Sequence, residues 1–259
     1  MLIGCIIQAR MGSSRLPGKV MMCLDENNFL IDYVLNQLSY SKLIDKTIVA
    51  TTKLKEDNLI VNHVKKRRLE VFCGSSDDVL DRYYRCAEKN NFEHIVRITA
   101  DNPLIDPRIV DTVVEKYKTG NYDYVSNTLV RTYPYGTEVE VFSMKVLEQA
   151  WNNASLPSER EHVTPYIKNP KNNFKVLNIK NKENISNLRW TIDRIDDLEL
   201  VRNMIKQIHI RPITLNEILG LIKKNPDLKK INENNASDEG FVKSLKEDQK
   251  YLKMKNHEE

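Results

Sequence analysis

Strand-type and helix-type segments alternate through the first half of this chain, and few folds tolerate that order. Ile3–Ile7 is an apolar run of strand type. Thr47–Thr51 reads as a strand and Glu56 to Arg67 as a helix. Glu70–Cys73 is a short strand, followed by a helix over Asp78 to Lys89. His94–Ile98 is a strand, Pro107 to Tyr117 a helix with proline in its first turn, and Tyr122 to Ser126 a further strand. The pattern predicts an α/β fold, a mostly parallel sheet with helices on both faces. In such sheets ligands bind outside the carboxyl ends of the strands. The segment after Ile7 and the segment Thr99-Ala100-Asp101 both lie at such ends.

The pattern changes near Thr128. Thr137 to Phe142 alternates like a half-exposed strand, Lys145 to Trp151 and Ser158 to Ile167 read as helices, and Phe174 to Ile179 as a strand. Residues 130–180 are expected to form an insertion carrying acceptor contacts or a dimer surface. Leu188–Asp193 is strand-like, and helices follow over Asp197 to Ile208 and Thr214 to Lys223. Residues 1–224 are thus expected to form a single domain. Beyond them, 225–259 is rich in Lys, Asn, Glu and Asp and reads as a weakly ordered tail with one helix near Gly240 to Leu252.

With a net charge of only +4 and no basic stripe interleaved with aromatics, nucleic acid is not expected as a partner. Cys5, Cys23, Cys73 and Cys86 are scattered and form no Cys-x-x-Cys pair, which fits free thiols in a reducing compartment. No leader-like start and no run of about 20 apolar residues is present. A cytoplasmic protein that does not enter the membrane is expected.

The segment after the first strand carries the chemistry. Gln8-Ala9-Arg10-Met11-Gly12-Ser13-Ser14-Arg15-Leu16-Pro17-Gly18-Lys19 combines small residues, which let backbone amides approach an anion, with the cations Arg10, Arg15 and Lys19. A polyphosphate is the ligand that suits it. The Gly-Lys-Ser/Thr ending of a Walker loop and the Gly-x-Gly-x-x-Gly of a dinucleotide fold are both absent. A charged surface turn is the alternative reading.

This loop resembles the signature of the cytidylyltransferases that make CMP-activated sugars, the CMP-nonulosonate and KDO type, and within them the SpsF-like branch of spore-coat polysaccharide biosynthesis. Gly74-Ser75-Ser76-Asp77-Asp78-Val79-Leu80-Asp81-Arg82-Tyr83-Tyr84, Arg97-Ile98-Thr99-Ala100-Asp101-Asn102-Pro103-Leu104-Ile105-Asp106 and Arg160-Glu161-His162-Val163-Thr164-Pro165-Tyr166-Ile167 resemble the same branch. The likeness runs to about Ile208. It implies a Rossmann-like fold of the nucleotide-diphospho-sugar transferase kind and transfer of CMP from CTP to an acidic sugar or related acceptor, with pyrophosphate released. It also implies a Mg²⁺ cofactor and a homodimer formed through 130–180.

Residue by residue, the resemblance makes Ala9, Arg10, Met11, Gly12, Ser13, Ser14, Arg15 and Lys19 nucleotide-binding, with Lys19, Arg10 and Asp101 catalytic. Asp101 follows a strand, and Asp106 is better placed to cap the next helix, so Asp101 is free to act as a metal ligand. Asp193 matches the family's second metal ligand, although Asp-Arg-Ile-Asp-Asp-Leu stands where Asp-Thr-Pro-Glu-Asp-Leu is usual. Arg97 and Thr99 alternate onto the face that carries Asp101 and are read as nucleotide-facing. Glu138 and Glu140 share one face, either an exposed strand surface or an acceptor wall. Arg160 and His162 either bind an acidic acceptor or belong to a salt-bridged helix start. Arg82 either reaches the acceptor or packs.

Two rivals remain. A nucleotide-sugar-dependent glycosyltransferase usually carries Asp-x-Asp, and none occurs here. A nucleotide-binding module without catalysis has no need of two carboxylates beside a phosphate loop.

Overall fold

The structure, a computed structural model, describes residues 2–236 and 238–258. Seven strands among them form one sheet in the order β3-β2-β1-β4-β6-β5-β7: β1 Ile3–Gln8, β2 Lys46–Thr52, β3 Glu70–Gly74, β4 His94–Thr99, β5 Tyr124–Ser126, β6 Glu140–Ser143 and β7 Val176–Asn178. The first four pair in parallel, β6 runs antiparallel to both β4 and β5, and β7 is parallel to β5. The apolar run of β1 lies between β2 and β4 in the sheet and needs both faces covered, and it receives them: Ile3, Cys5 and Ile7 are buried in one apolar cluster and Ile6 in the other. Chain direction around the sheet reverses at β1 and β4, so their carboxyl ends open a crevice at the switch point.

Helices α2 (Asn58–Lys66), α3 (Val79–Lys89) and α4 (Pro107–Thr119) fill the parallel crossovers and the link to β5. Asp78 caps α3 by accepting from the Asp81 amide, and Asp106 caps α4 by accepting from the Arg108 amide, both at 2.8 Å. The sequence reading leaves out α1 (Leu30–Leu38). Its polar residues Asp32 and Gln37 are themselves buried, so the wet stripe that marks a surface helix is missing.

The stretch from Ser158 to Ile167 is two helices, not one. Between α6 (Pro157–His162) and α7 (Pro165–Lys168), Val163 takes a φ of 69°, and Pro165 bars its predecessor from continuing a helix. Helix α5 spans Met144–Asn153. Leu188–Asp193 is not a strand. It carries one isolated β-bridge, Tyr135 to Arg189, in which the Tyr135 amide donates to Leu188 O at 3.0 Å and the Trp190 amide to Tyr135 O at 2.9 Å. Gly136 makes this possible: at a φ of 103°, a Cβ there would lie 2.7 Å from the Thr191 nitrogen.

Helices α8 (Ile195–Gln207) and α9 (Leu215–Lys224) close the apolar layer. After them comes the stretch expected as a tail with one helix near Gly240 to Leu252. Pro226–Ile231 is a 3₁₀ turn and α10 (Glu239–Glu258) is a 20-residue helix packed on α6. Residues 237 and 259 of that expected tail lie outside the described residues. The inward face of α10 is polar: Ser244 and Asp248 are buried, and Asp248 accepts from the Ser158 amide at 2.8 Å and from the Ser158 hydroxyl at 2.6 Å. A helix that docks through hydrogen bonds leaves no hydropathy signature. None of the described helices is long and apolar enough to cross a membrane.

Candidate active site

The loop 9–19 leaves β1 at the crevice and is braced from within. The Ala9 amide donates to Ala50 O at 3.1 Å, the Met11 amide to the Asp57 carboxylate at 2.7 Å and the Gly18 amide to Met11 O at 2.8 Å. Gly18, at a φ of 72°, turns the chain into the short 3₁₀ helix Lys19–Met21. The amides of Gly12, Ser14 and Arg15 have no partner among the described residues, and a Cβ on Gly12 would meet nothing within 4 Å. The loop therefore presents free donors around open space, which suits an anion.

Lys19 is 8 % exposed, and its ammonium is saturated. Nζ donates to Asp101 Oδ2 at 2.9 Å, Asp193 Oδ1 at 2.9 Å and Ile192 O at 2.7 Å. Burial alone would lower the Lys19 pKa, but the charges of Asp101 and Asp193 hold it above its ordinary value. Burial would raise Asp193, yet Lys19, then Arg15 and Arg189, hold it well below the usual carboxylate range. Arg15 lies 2.6 Å from Asp193 Oδ1, and Arg189 donates to Asp193 Oδ2 at 2.8 Å.

The two carboxylates meet because two distant segments are stitched together. The Ile192 amide donates to Asp101 O at 2.8 Å. Asp197, fully buried in the first turn of α8, accepts from the amides of Asp193 and Arg194 at 3.0 Å and fixes the turn. Thr99 Oγ1 donates to the remaining Asp101 oxygen at 2.6 Å.

Two chambers share this centre. One, about 270 Å³, is lined by Gln8, Ala9, Arg10, Gly12, Ser13, Ser14, Arg15 and Lys19 of the loop together with Arg82, Arg97 and Thr99. The other, about 530 Å³, is lined by Arg131, Glu138, Glu140, Thr164, Lys168 and the start of α10. Asp101, Asp193, Arg97, Thr99, Arg15 and His162 border both. A roomier cavity of about 600 Å³ lies behind Leu188, Arg189 and Trp190, and none of the loop cations reaches it.

Several expected positions move. Met11 does not line the loop chamber; its side chain packs against the apolar core. Arg82 is not on the Glu138–Glu140 side: it lines the loop chamber, 1 % exposed, with Nε and Nη1 lacking any partner among the described residues. Arg160 borders neither chamber. It is paired with Asp78, through Nε at 2.9 Å and through Nη2, and donates to Trp151 O at 2.8 Å, so its guanidinium is spent on holding α6 to α3.

Glu140 does line the larger chamber, but its oxygens are taken. It pairs with Arg97, accepts from Thr164 Oγ1 at 2.6 Å and lies 3.0 Å from Lys168 Nζ. Burial would raise its pKa, but Lys168 and Arg97 hold it well below the usual range. Its geometry is that of a group that orients Arg97. Glu138 accepts from Arg131 at 2.6 Å and from Asn102 at 3.0 Å. Arg10 is half exposed, 3.7 Å from Glu161.

Lys168, Arg131 and Arg189 escape a reading by motif, because each reaches the chamber from a different segment, and Asn102 stands in a quoted motif without a role assigned to it. Glu239, Gly240 and Phe241 escape it because they open a helix whose docking face is polar.

Among the described residues no group of three or more His, Cys, Asp or Glu side chains is set to hold a metal. Asp101 and Asp193 offer two hard carboxylates, which fits a Mg²⁺ ion that takes one or two carboxylates and completes its shell from phosphates and water. A cation already stands between them, in the form of the Lys19 ammonium.

The chain matches the family model described as cytidylyltransferase over residues 4–246. It is 41 % identical over 231 residues to an uncharacterized protein of Methanocaldococcus jannaschii, covering 88 % of this chain and 93 % of that one. It is 33 % identical over 229 residues to the spore coat polysaccharide biosynthesis protein SpsF of Bacillus subtilis, covering 86 % and 94 %. Among solved structures it is similar to a cytidylyltransferase from Leptospira borgpetersenii, with a TM-score of 0.85 at 34 % identity over 92 % of this chain and 98 % of that one.

Proposed function

This chain belongs to the cytidylyltransferase family, and we propose that it transfers CMP from CTP to an acidic, sugar-like acceptor with release of pyrophosphate. The observation that carries this reading is the meeting of Asp101 and Asp193 at the Lys19 ammonium, on the boundary between a phosphate-type loop and a second chamber. Two reactants held on opposite sides of one cation-rich centre are placed for in-line displacement.

In this reading the triphosphate lies on the free amides of Gly12, Ser14 and Arg15. Arg10, Arg15 and Lys19 neutralise the β- and γ-phosphates, and so the charge on the leaving pyrophosphate. An acceptor oxygen enters from the larger chamber and bonds to the α-phosphorus as the bond to pyrophosphate breaks. A Mg²⁺ ion held by Asp101 and Asp193 would supply charge neutralisation at the phosphates and lower the acceptor's pKa. Arg97, oriented by Glu140, and Lys168 give the acceptor chamber cationic walls suited to a carboxylate or phosphate. Asp238 and the first residues of α10, Glu239 to Phe241, line that chamber as well.

We also propose a homodimer in a reducing, cytoplasmic setting, with the 130–180 stretch, whose β7 is a sheet edge and whose Val130 and Val176 are exposed, as its surface, and with the four cysteines free. Light scattering on the purified chain tests the dimer.

The function itself is tested by incubating the protein with CTP, Mg²⁺ and a panel of acidic sugars, alditol phosphates and phosphonates, and measuring pyrophosphate. One acceptor is expected to give turnover, and Asp101→Asn to lower kcat by about 100-fold or more. Turnover by Asp101→Asn close to that of the parent protein would remove the metal assignment.

A further inference from the structure

We propose that Lys19 is the resident counter-cation of the Asp101–Asp193 pair, and that it hands this pair to the divalent ion only when a nucleotide's phosphates take the ammonium. This rests on the reading above that these carboxylates hold the metal.

A lysine ammonium has three donors. All three are engaged here, by Asp101 Oδ2, Asp193 Oδ1 and Ile192 O. Lys19 as found has no donor left for a phosphate, although it stands in the loop chamber. Every oxygen of the two carboxylates already has a partner: Asp101 Oδ1 accepts from Thr99, Asp193 Oδ2 from Arg189, and Asp193 Oδ1 is shared by Lys19 and Arg15. A divalent ion that bridges Asp101 Oδ2 and Asp193 Oδ1 would take the place the ammonium holds between them.

Displacement without compensation is costly. It strips a nearly buried ammonium of three partners in a site of low dielectric. A polyphosphate removes that cost, because it offers new acceptors to Lys19 and Arg15 in the same chamber. The backbone need not move. The Lys19 amide is bonded to Leu16 O at 3.2 Å and Val20 is buried, so the exchange lies in the four-carbon stem. Metal and nucleotide then enter together, and two carboxylates with no third protein ligand among the described residues are not left to bind stray cations.

The probe is Mn²⁺ alone, titrated into the full chain without nucleotide and followed by calorimetry or by the electron-spin signal of free Mn²⁺. Lys19→Met is expected to bind Mn²⁺ about tenfold tighter than the parent protein, and Lys19→Met/Asp193→Asn to lose that gain. Mn²⁺ is expected to raise the melting temperature of Lys19→Met by about 5 °C and to leave the parent protein unchanged. If Lys19→Met does not fold, Lys19→Gln, which keeps two donors, takes its place. Equal Mn²⁺ affinity in the parent protein and the Lys19 variant overturns the proposal. A separate arm adds CTP: loss of CTP binding by the parent protein would sink the functional reading, whereas the nucleotide-free comparison reads Lys19 by itself.

Discussion

His162 Nε2 lies 2.9 Å from the Ser244 hydroxyl, which also donates to Glu161 at 2.8 Å. One serine thus joins α10 to the two residues of α6 that face the site. Phe241, one turn earlier, packs edge-on against the imidazole at 5.2 Å between centroids, and Glu239 and Gly240 border the larger chamber. The C-terminal helix is a wall of the site, so damage to its inner face should be felt by the acceptor.

Phe241→Ala and Ser244→Ala are therefore expected to raise the acceptor KM about tenfold, with the CTP KM changed by less than about threefold. Steady-state rates with an acceptor found by pyrophosphate release measure both. An equal rise in both KM values would show that α10 acts on the whole fold and not on one chamber.

The same contact predicts a pH dependence. Burial holds the His162 pKa below the ordinary imidazole value; Arg97 and Lys168 add to that, while Glu161 and Glu140 oppose it. The folded state thus binds fewer protons than the unfolded state, whose histidine titrates near about 6.5. The stability this contributes is present above that pH and is lost as pH falls. Protection of the amides over 239–250, taken relative to intrinsic exchange at each pH, should fall between about pH 7 and 5.5, before Asp193 and Glu140, held far lower, begin to titrate. His162→Gln should remove the effect; the same loss of protection in that variant would acquit the histidine.

How much of this was legible in the sequence depends on what kind of signal each residue sends. The run Ile3–Ile7 and the capped helices at Asp78 and Asp106 announce themselves through apolar periodicity and local hydrogen bonding, so the parallel sheet and its crevice follow from them. The loop 9–19 is local as well, and its cations are contiguous. What periodicity cannot carry is pairing between distant side chains. Asp32 and Gln37 look like surface residues until His63 and Ile213 are seen to bond them. Ser244 and Asp248 make α10 look like solvent-facing tail. Arg160 and Arg82 carry the same charge in the same motif family, and only their surroundings separate a spent guanidinium from an unpartnered one.

The buried pair Arg97–Glu140 supplies a test of stability. Glu140→Gln keeps the shape and much of the hydrogen bonding to Thr164 but leaves Arg97 and Lys168 without their counter-charge. Removing one partner of a buried pair typically costs about 3–5 kcal/mol, which for a chain of this size corresponds to a melting temperature lower by about 10 °C. Adding Arg97→Met to Glu140→Gln should recover part of that loss, because it removes the stranded charge. Calorimetry on the three variants decides it, and a double variant less stable than the single would show that Arg97 is held by something other than Glu140.

Arg82 gives the sharpest separation of ligand binding from packing. It is almost wholly buried, its Nε and Nη1 have no partner among the described residues, and it faces the chamber of the phosphate-type loop. Burial lowers its pKa, Tyr83 opposes that and Arg10 adds to it. A desolvated, unpaired cation works against the folded state. Exchange for an apolar side chain of similar length should then leave the fold as stable or more so. Arg82→Met is accordingly expected to melt at the same temperature or a few degrees higher. If the guanidinium waits for an acceptor atom on the nucleotide, the same change should weaken CTP binding by about 10- to 100-fold, the worth of a charge-assisted hydrogen bond or two. Thermal melting and a CTP titration on one preparation read both quantities. A lower melting temperature with unchanged CTP affinity would make Arg82 a structural residue.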